Sequence, residues 1–419
     1  MRKGLIPKLA VRSAVASVAL VAFAGLANAA DERWVQYSSN GLEVRVATAA
    51  AACPTARVDG RNVALSVRST PGPDFPVRIC AATLPAGTRS ASIEGAALPL
   101  PKARPDKILL IGDTGCRIST IQVQSCNDPK QWPFAEGSAK AADTKPDLVI
   151  HLGDFHYRER ACPLADRGCK GSPYGDNWAV WMADFFEPAR SLLQAAPWVM
   201  VRGNHEECQR GGKGWSRALD PYPFKSANGC LGLGQPFTVD LGGVTLAILD
   251  TATAGELRAR PNETARFRKQ FESLERLAPT GPIWLAFHRP IWSVAASFLG
   301  IAVGGNASLA AASSAIPART DMILSGHLHT FQILDFADDL PVQVVSGHGG
   351  NELHLTASNS PAGLTVQGAK IRSGKGASGV FGYAILERKA DGGWSIANRS
   401  FDGKLVSSCE LVGRRIACK

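Results

Sequence analysis

Five apolar runs in this chain each end in residues that bind metal ions or move protons. They close on Gly112-Asp113, on Gly153-Asp154 with Tyr157 three residues further, on Gly203-Asn204-His205-Glu206, on His288, and on Gly326-His327-Leu328-His329. The last run carries two histidines two residues apart, and in an extended or turning backbone such residues point the same way. Both imidazoles can then face one spot, and imidazole is the commonest side-chain metal ligand. A His-x-His pair alone is a weak signal; the ordered set of five is a strong one. Two carboxylates (Asp113 and Asp154), three imidazoles (His288, His327 and His329), the Asn204 amide and the Tyr157 phenol can share two metal ions. Asp154 is the natural bridge, because one carboxylate can touch both. His205 is left over for acid–base work. Two ions about 3.5–4 Å apart clamp an in-line displacement and activate water near neutral pH. Phosphoryl oxygens are where such cations best stabilise developing charge.

These groups need rigid elements beneath them. From residue 106 onward, apolar strand candidates alternate with helical stretches: Lys107–Gly112, Asp147–Gly153, Trp198–Gly203, Thr245–Asp250, Ile283–His288, Asp321–Gly326 and Val342–Gly347. Several are apolar on both faces, as strands buried between layers are. A helix is expected from Glu263 to Leu277, with Phe267, Phe271, Leu274 and Leu277 on one stripe. Another begins near Trp178 and is interrupted at Pro188. The alternation predicts an α/β (α+β) domain over 106–419, with two mixed sheets face to face and helices outside. Residues 31–103 are short, β-branched and turn-rich, and predict a small antiparallel β domain. The stretch Pro99 to Pro105 is a proline-rich linker.

The first 29 residues predict a secretory leader. Arg2, Lys3, Lys8 and Arg12 precede an apolar stretch, and Ala27-Asn28-Ala29 fits a cleavage site. Its removal takes the formal net charge from +10 to +6, which is compatible with anionic substrates. No block of like charge supports nucleic-acid or membrane binding. All ten cysteines follow the leader: Cys53, Cys80, Cys116, Cys126, Cys162, Cys169, Cys208, Cys230, Cys409 and Cys418. An even count in an exported chain implies disulfides, simplest when paired in sequence order. A cysteine zinc site lacks the Cys-x-x-Cys spacing it would use. The expected location is the periplasm or the extracellular space.

The five blocks, spanning residues 112 to 329, resemble the calcineurin-like metallophosphoesterases, and within them the purple acid phosphatases. Most of the superfamily has a histidine two residues after the first aspartate; here that position is Gly115, and Tyr157 follows Asp154 by three, as in the purple enzymes. The resemblance implies a four-layer αββα sandwich and two metal ions. The Fe3+ site would be Asp113, Asp154, Tyr157 and His329. The second site, for Zn2+, Mn2+ or Fe2+, would be Asp154, Asn204, His288 and His327. His205 would bind substrate phosphate and protonate the leaving oxygen, with Glu206 orienting it. The implied reaction is hydrolysis of phosphate monoesters. The rival on the same scaffold is a phosphodiesterase or nucleotide pyrophosphatase. A different class, an exported protein keeping metal for structure alone, gives no use to His205.

The chain also departs from the phosphatases. Their histidine-bearing substrate loop is replaced by the apolar, glycine-rich Ile291 to Gly305, which leaves room for an ester with an apolar group. Arg210 and Arg217, in the Cys208 to Cys230 loop, could bind a leaving group or simply be solvated. His348 could reach substrate or support a metal ligand. His151 is expected to be a satisfied core histidine, His156 structural, and His354 on the surface.

Overall fold

Alternate residues of the strand Lys107–Ile111 face two different cores. Ile108 and Leu110 lie between two sheets, while Leu109 and Ile111 face helices on the other side. The second sheet repeats this from its own side. Met322 and Leu324 of Thr320–Ser325 join the inter-sheet core, and Ile323 packs with Phe267, Phe271 and Leu274 of the helix Pro261–Leu277. Each such side chain, fully buried, contributes roughly 1.5–3 kcal/mol by leaving water. Both registers of these strands must therefore be apolar, which explains their unbroken hydrophobic runs. The product is a helix–sheet–sheet–helix sandwich. It is seen in a computed structural model that describes residue 1 and residues 31–225, 229–230, 232–298, 301–354 and 359–419. The leader expected over 1–29 lies, apart from Met1, outside the described residues.

Among the described residues, eleven strands form the first sheet and eight the second. In the first, Lys107–Ile111, Leu148–His151 and Trp198–Met200 run parallel side by side. In the second, Thr245–Ile248, Ile283–Ala286, Thr320–Ser325 and Val342–Ser346 do the same. These are the seven expected strands. Each ends one to three residues before the site residue or glycine first assigned to it, because the chain leaves the ladder there. Such carboxyl ends are where open α/β sheets build sites.

The boundary expected near residue 103 is not a divide in this sheet. Glu32–Ser38 pairs in parallel with Trp198–Met200, Gln36 lying opposite Trp198. Gly41–Thr48, Arg78–Thr83 and Ser66–Ser69 then extend the same sheet. The remaining early strands, Thr55–Val58, Arg61–Ala64, Ala91–Ile93 and Ala96–Ala97, make a small sheet. Residues 31–419 form one compact unit. Side-chain packing accounts for this: Trp34 is buried in the helix-side core against Phe186, their ring centroids 5.1 Å apart.

The second expected helix also differs. Trp178–Trp181 continues through a π turn, Met182–Phe186, into Glu187–Ala195. Pro188 comes directly after the π turn, and Phe186 and Glu187 before it keep helical angles (φ −62°, ψ −45° and φ −68°, ψ −52°), so the helix is not interrupted. The cysteines pair in sequence order: Cys53–Cys80, Cys116–Cys126, Cys162–Cys169, Cys208–Cys230 and Cys409–Cys418. Among the described residues, no helix is long and apolar enough to cross a membrane.

Candidate metal centre and active site

The ligand loops turn sharply where they leave the strands. Asp113, Asp154 and His327 adopt left-handed backbone conformations, with φ of 57°, 59° and 71°. Non-glycine residues hold that region at some cost and cluster there at functional sites. Neighbouring glycines make the inward turn possible. A Cβ on Gly203 would lie 2.1 Å from Asp154 Oδ1, one on Gly153 2.6 Å from His288 Nδ1, and one on Gly326 or Gly347 2.6 Å from Asp113 Oδ2. The loops are also tied to one another. The backbone N–H of His327 donates to Asp113 Oδ2 at 2.8 Å, and that of His205 to Asp154 Oδ1 at 2.8 Å. The π turn contributes Asp184, which accepts from the backbone N–H groups of Cys116, Tyr157 and Arg158.

Two groups of donors result, sharing Asp154. The Tyr157 hydroxyl lies 2.8 Å from Asp154 Oδ2, 3.1 Å from Asp113 Oδ1 and 3.1 Å from His329 Nε2. On the other side His288 Nε2 lies 3.1 Å from Asp154 Oδ2 and 3.1 Å from Asn204 Oδ1. Ligand atoms of Asp154, His288 and His327 fall within 4.8 Å of one another. The imidazoles are oriented as metal ligands usually are, by a hydrogen bond from the far ring nitrogen. His288 Nδ1 meets the Leu152 carbonyl at 2.7 Å, and His329 Nδ1 meets the Glu352 carbonyl at 2.6 Å. His288 Nε2 therefore faces the shared carboxylate of Asp154, and His329 Nε2 faces Asp113 Oδ1 at 3.4 Å. Burial would lower the His288 imidazole, but Asp154 outweighs it and raises it to about 9. Burial, then Asp154 and Asp113, push the Tyr157 phenol well above its usual value. Both shifts mark a place that calls for added positive charge, and the donor set fits two cations.

His205 lies at the edge of this centre, 5% exposed, with Nε2 3.9 Å from Asp154 Oδ2. Its orienting partner is Glu159, whose Oε1 is 2.8 Å from Nδ1. The Arg210 guanidinium lies 2.8 Å from Nε2 and 2.5 Å from the same carboxylate. Burial would raise Glu159, but His205 and Arg210 hold it down at about 2. Glu206 does not orient His205 as expected. It accepts backbone N–H groups from Asp154, Phe155, His156 and Gly203 at 2.8–3.1 Å, and so locks the Asp154 turn against the Gly203 turn.

Two expected substrate contacts are elsewhere. His348 is 1% exposed, with Nε2 2.9 Å from Asn398 Oδ1; the chain turns it back toward the neighbouring strand instead of the site. Arg217 lies over the rings of Phe75 and Phe224 and donates to the Thr70 carbonyl. Arg210 is at the site. His151 is a satisfied core group, 3.0 Å from Thr114 Oγ1, and His156 meets the Gly175 carbonyl at 3.0 Å. His354 is exposed, yet its ring stacks on that of His329 at 4.2 Å. Sequence reasoning missed Glu159, two residues beyond Tyr157. It also passed over Arg117, whose guanidinium sits 4.7 Å from the Tyr157 ring centre.

A family model described as calcineurin-like phosphoesterase matches residues 106–331, more than half of the chain and all of this centre. The chain belongs to the calcineurin-like phosphoesterase family. This phosphoesterase is accordingly a metal-dependent hydrolase of small phosphate esters, with the dinuclear centre that the family's fold implies. Its fold is similar to that of purple acid phosphatase PPD1 from yellow lupin (Lupinus luteus) seeds, at a TM-score of 0.57 and 13% identity, over 90% of this chain and 73% of that one. It is also similar to PhoD, at 0.55 and 12%, over 93% and 91%. No curated protein sequence matches this phosphoesterase.

Proposed function

We propose that the protein is an exported phosphatase that hydrolyses phosphate monoesters. In this reading Asp113, Asp154, Tyr157 and His329 hold Fe3+, and Asp154, Asn204, His288 and His327 hold Zn2+, Mn2+ or Fe2+. The observation that carries it is the meeting of the Tyr157 hydroxyl with Asp113, Asp154 and His329, each within 3.1 Å. A phenol whose proton is held so firmly loses it to solvent only where a strongly Lewis-acidic ion would take the oxygen, and a hard oxygen suits a hard trivalent one. A pair of ions supplies Lewis acidity toward phosphoryl oxygens and an activated water.

The chain's own residues do the rest. Asp154 keeps the two donor groups in register, and the backbone bonds to Glu206 keep Asp154 in place. Burial, aided by Arg210, outweighs the carboxylates of Asp154 and Glu159 and lowers His205 to about 4. An incoming phosphoryl dianion favours the protonated imidazole, which can then serve the leaving oxygen. Arg210 and Arg289 border the centre, and two guanidinium groups suit a doubly charged phosphoryl group. Export is supported by five disulfides, which persist in oxidising compartments.

Two measurements test this. On mono- and bis-nitrophenyl phosphate, the monoester is expected to be cleaved with the larger kcat/KM; a predominant diester rate would assign the protein to phosphodiesterases or nucleotide pyrophosphatases instead. The purified protein is expected to be pink or purple, from charge transfer between tyrosinate and ferric iron, and Tyr157→Phe is expected to bleach it. A colourless active protein holding only zinc or manganese would refute the iron assignment and leave the phosphatase reading in place.

A further inference from the structure

One carboxylate near the centre belongs to neither donor group. Glu256 Oε1 lies 2.5 Å from Nε2 of His327, a residue assigned above to the divalent ion. The same oxygen is in contact with Arg289 Nη1. Arg289 is itself fixed, its Nε donating to the Ala252 carbonyl at 3.1 Å and its backbone N–H to Thr251 Oγ1 at 3.0 Å. The backbone of the Glu256 loop is held too. The Glu256 carbonyl accepts from the Ala307 N–H at 2.9 Å, and the Gly255 N–H donates to Glu263 Oε2 at 2.8 Å. The Glu256 side chain is open to solvent, 39% exposed against 14% for Arg289. Two cavities meet at this pair. One, of about 780 Å³, is bordered by Thr253, Arg258 and Arg260; the other, of about 360 Å³, by Pro290, Ala295 and Leu328. Glu256, Leu257 and Arg289 are walls of both.

We propose that Glu256 is a built-in competitor for the substrate's phosphoryl group, capping Arg289 beside the His327 imidazole until a phosphate ester displaces it. The inference rests on the assignment of His327 to the metal centre. A carboxylate satisfies a guanidinium and a cation site through the same charged oxygens that a phosphoryl group offers. An ion pair with a partly exposed carboxylate contributes little, so a phosphate with two negative charges and three free oxygens can outcompete it. Its departure also takes away one of the side chains that wall both cavities, widening the passage past His327 in which the organic side of the ester can lie.

The probe is inorganic phosphate, titrated calorimetrically into metal-loaded wild-type protein and Glu256→Gln, with metal content measured on both. Glutamine keeps the size and removes the charge. A site held closed nine-tenths of the time binds about tenfold more weakly than an open one. Glu256→Gln is therefore expected to bind phosphate about tenfold more tightly with unchanged metal content, and KM for a monoester is expected to fall with it. Equal or weaker phosphate binding by the variant overturns the inference alone. A loss of metal from the variant also overturns it, by making Glu256 a permanent ligand. Absence of phosphate binding by both proteins overturns it together with the phosphatase reading.

Discussion

Asp154→Asn is expected to lower kcat/KM by at least about 10³-fold. Asp154 is the one residue common to both donor groups: its Oδ2 lies 2.8 Å from the Tyr157 hydroxyl, 3.1 Å from His288 Nε2 and 3.9 Å from His205 Nε2. An amide keeps the shape but removes the charge and one acceptor oxygen, so both cation sites weaken together. Loss of one preorganised electrostatic group at a reacting centre costs about 10²–10³, and here two are impaired by one change. The fold is expected to persist, because the substitution relieves repulsion between Asp154 and Asp113. Circular dichroism and metal analysis on the same sample separate the effects. Activity within tenfold of wild type, or two full equivalents of metal, would contradict the bridging role.

The second large effect comes from a methyl group. Gly203→Ala would place its Cβ 2.1 Å from Asp154 Oδ1 and 2.3 Å from Asp154 N. Its backbone, at φ −96° and ψ 178°, suits alanine as well as glycine, so the cost is steric rather than conformational. The obstacle is backbone as well as side chain, and it cannot rotate away. The Asp154 turn must shift, taking with it the bond to the His205 N–H and the bonds to Glu206. Displacements of about 1 Å at a reacting centre cost on the order of 10²-fold, and overpacking costs about 1–3 kcal/mol of stability. kcat is expected to fall by at least about 10²-fold and urea unfolding to shift by that energy. Gly232→Ala, whose Cβ meets nothing within 4 Å, is the control and is expected to match wild type. Unchanged kcat in Gly203→Ala would show that the turn has slack.

Much of this was legible in the sequence. The proposed ligands Asp113, Asp154, Asn204 and His327 were legible because each follows a glycine at the end of a run that is apolar in both registers, and His288 because it closes such a run itself. The strands were legible because burial on two faces leaves no polar alternation to confuse with a helix. What escaped had a non-local cause. Glu159 and Glu256 belong to no ligand block and meet His205 and His327 only because loops converge. The pairing of Gln36 with Trp198 joins strands far apart in the chain, and nothing local names that partner. His348 sits at a strand end like the proposed ligands, but a strand end does not say which way the next residue turns. Glu206, beside His205 in sequence, does its work through its carboxylate on four backbone N–H groups and not on the ring.

Three of the disulfides begin within a few residues of a ligand block: Cys116 after Asp113, Cys162 after Tyr157, and Cys208 after His205. The loops they close are therefore ordered by covalent bonds before any ion arrives. In small zinc domains the metal must organise the chain, and its binding energy is spent on folding. Here the closure entropy is removed by cysteine oxidation instead. The metal centre is therefore expected to be a finished mould, with oxidation preceding metal binding in assembly.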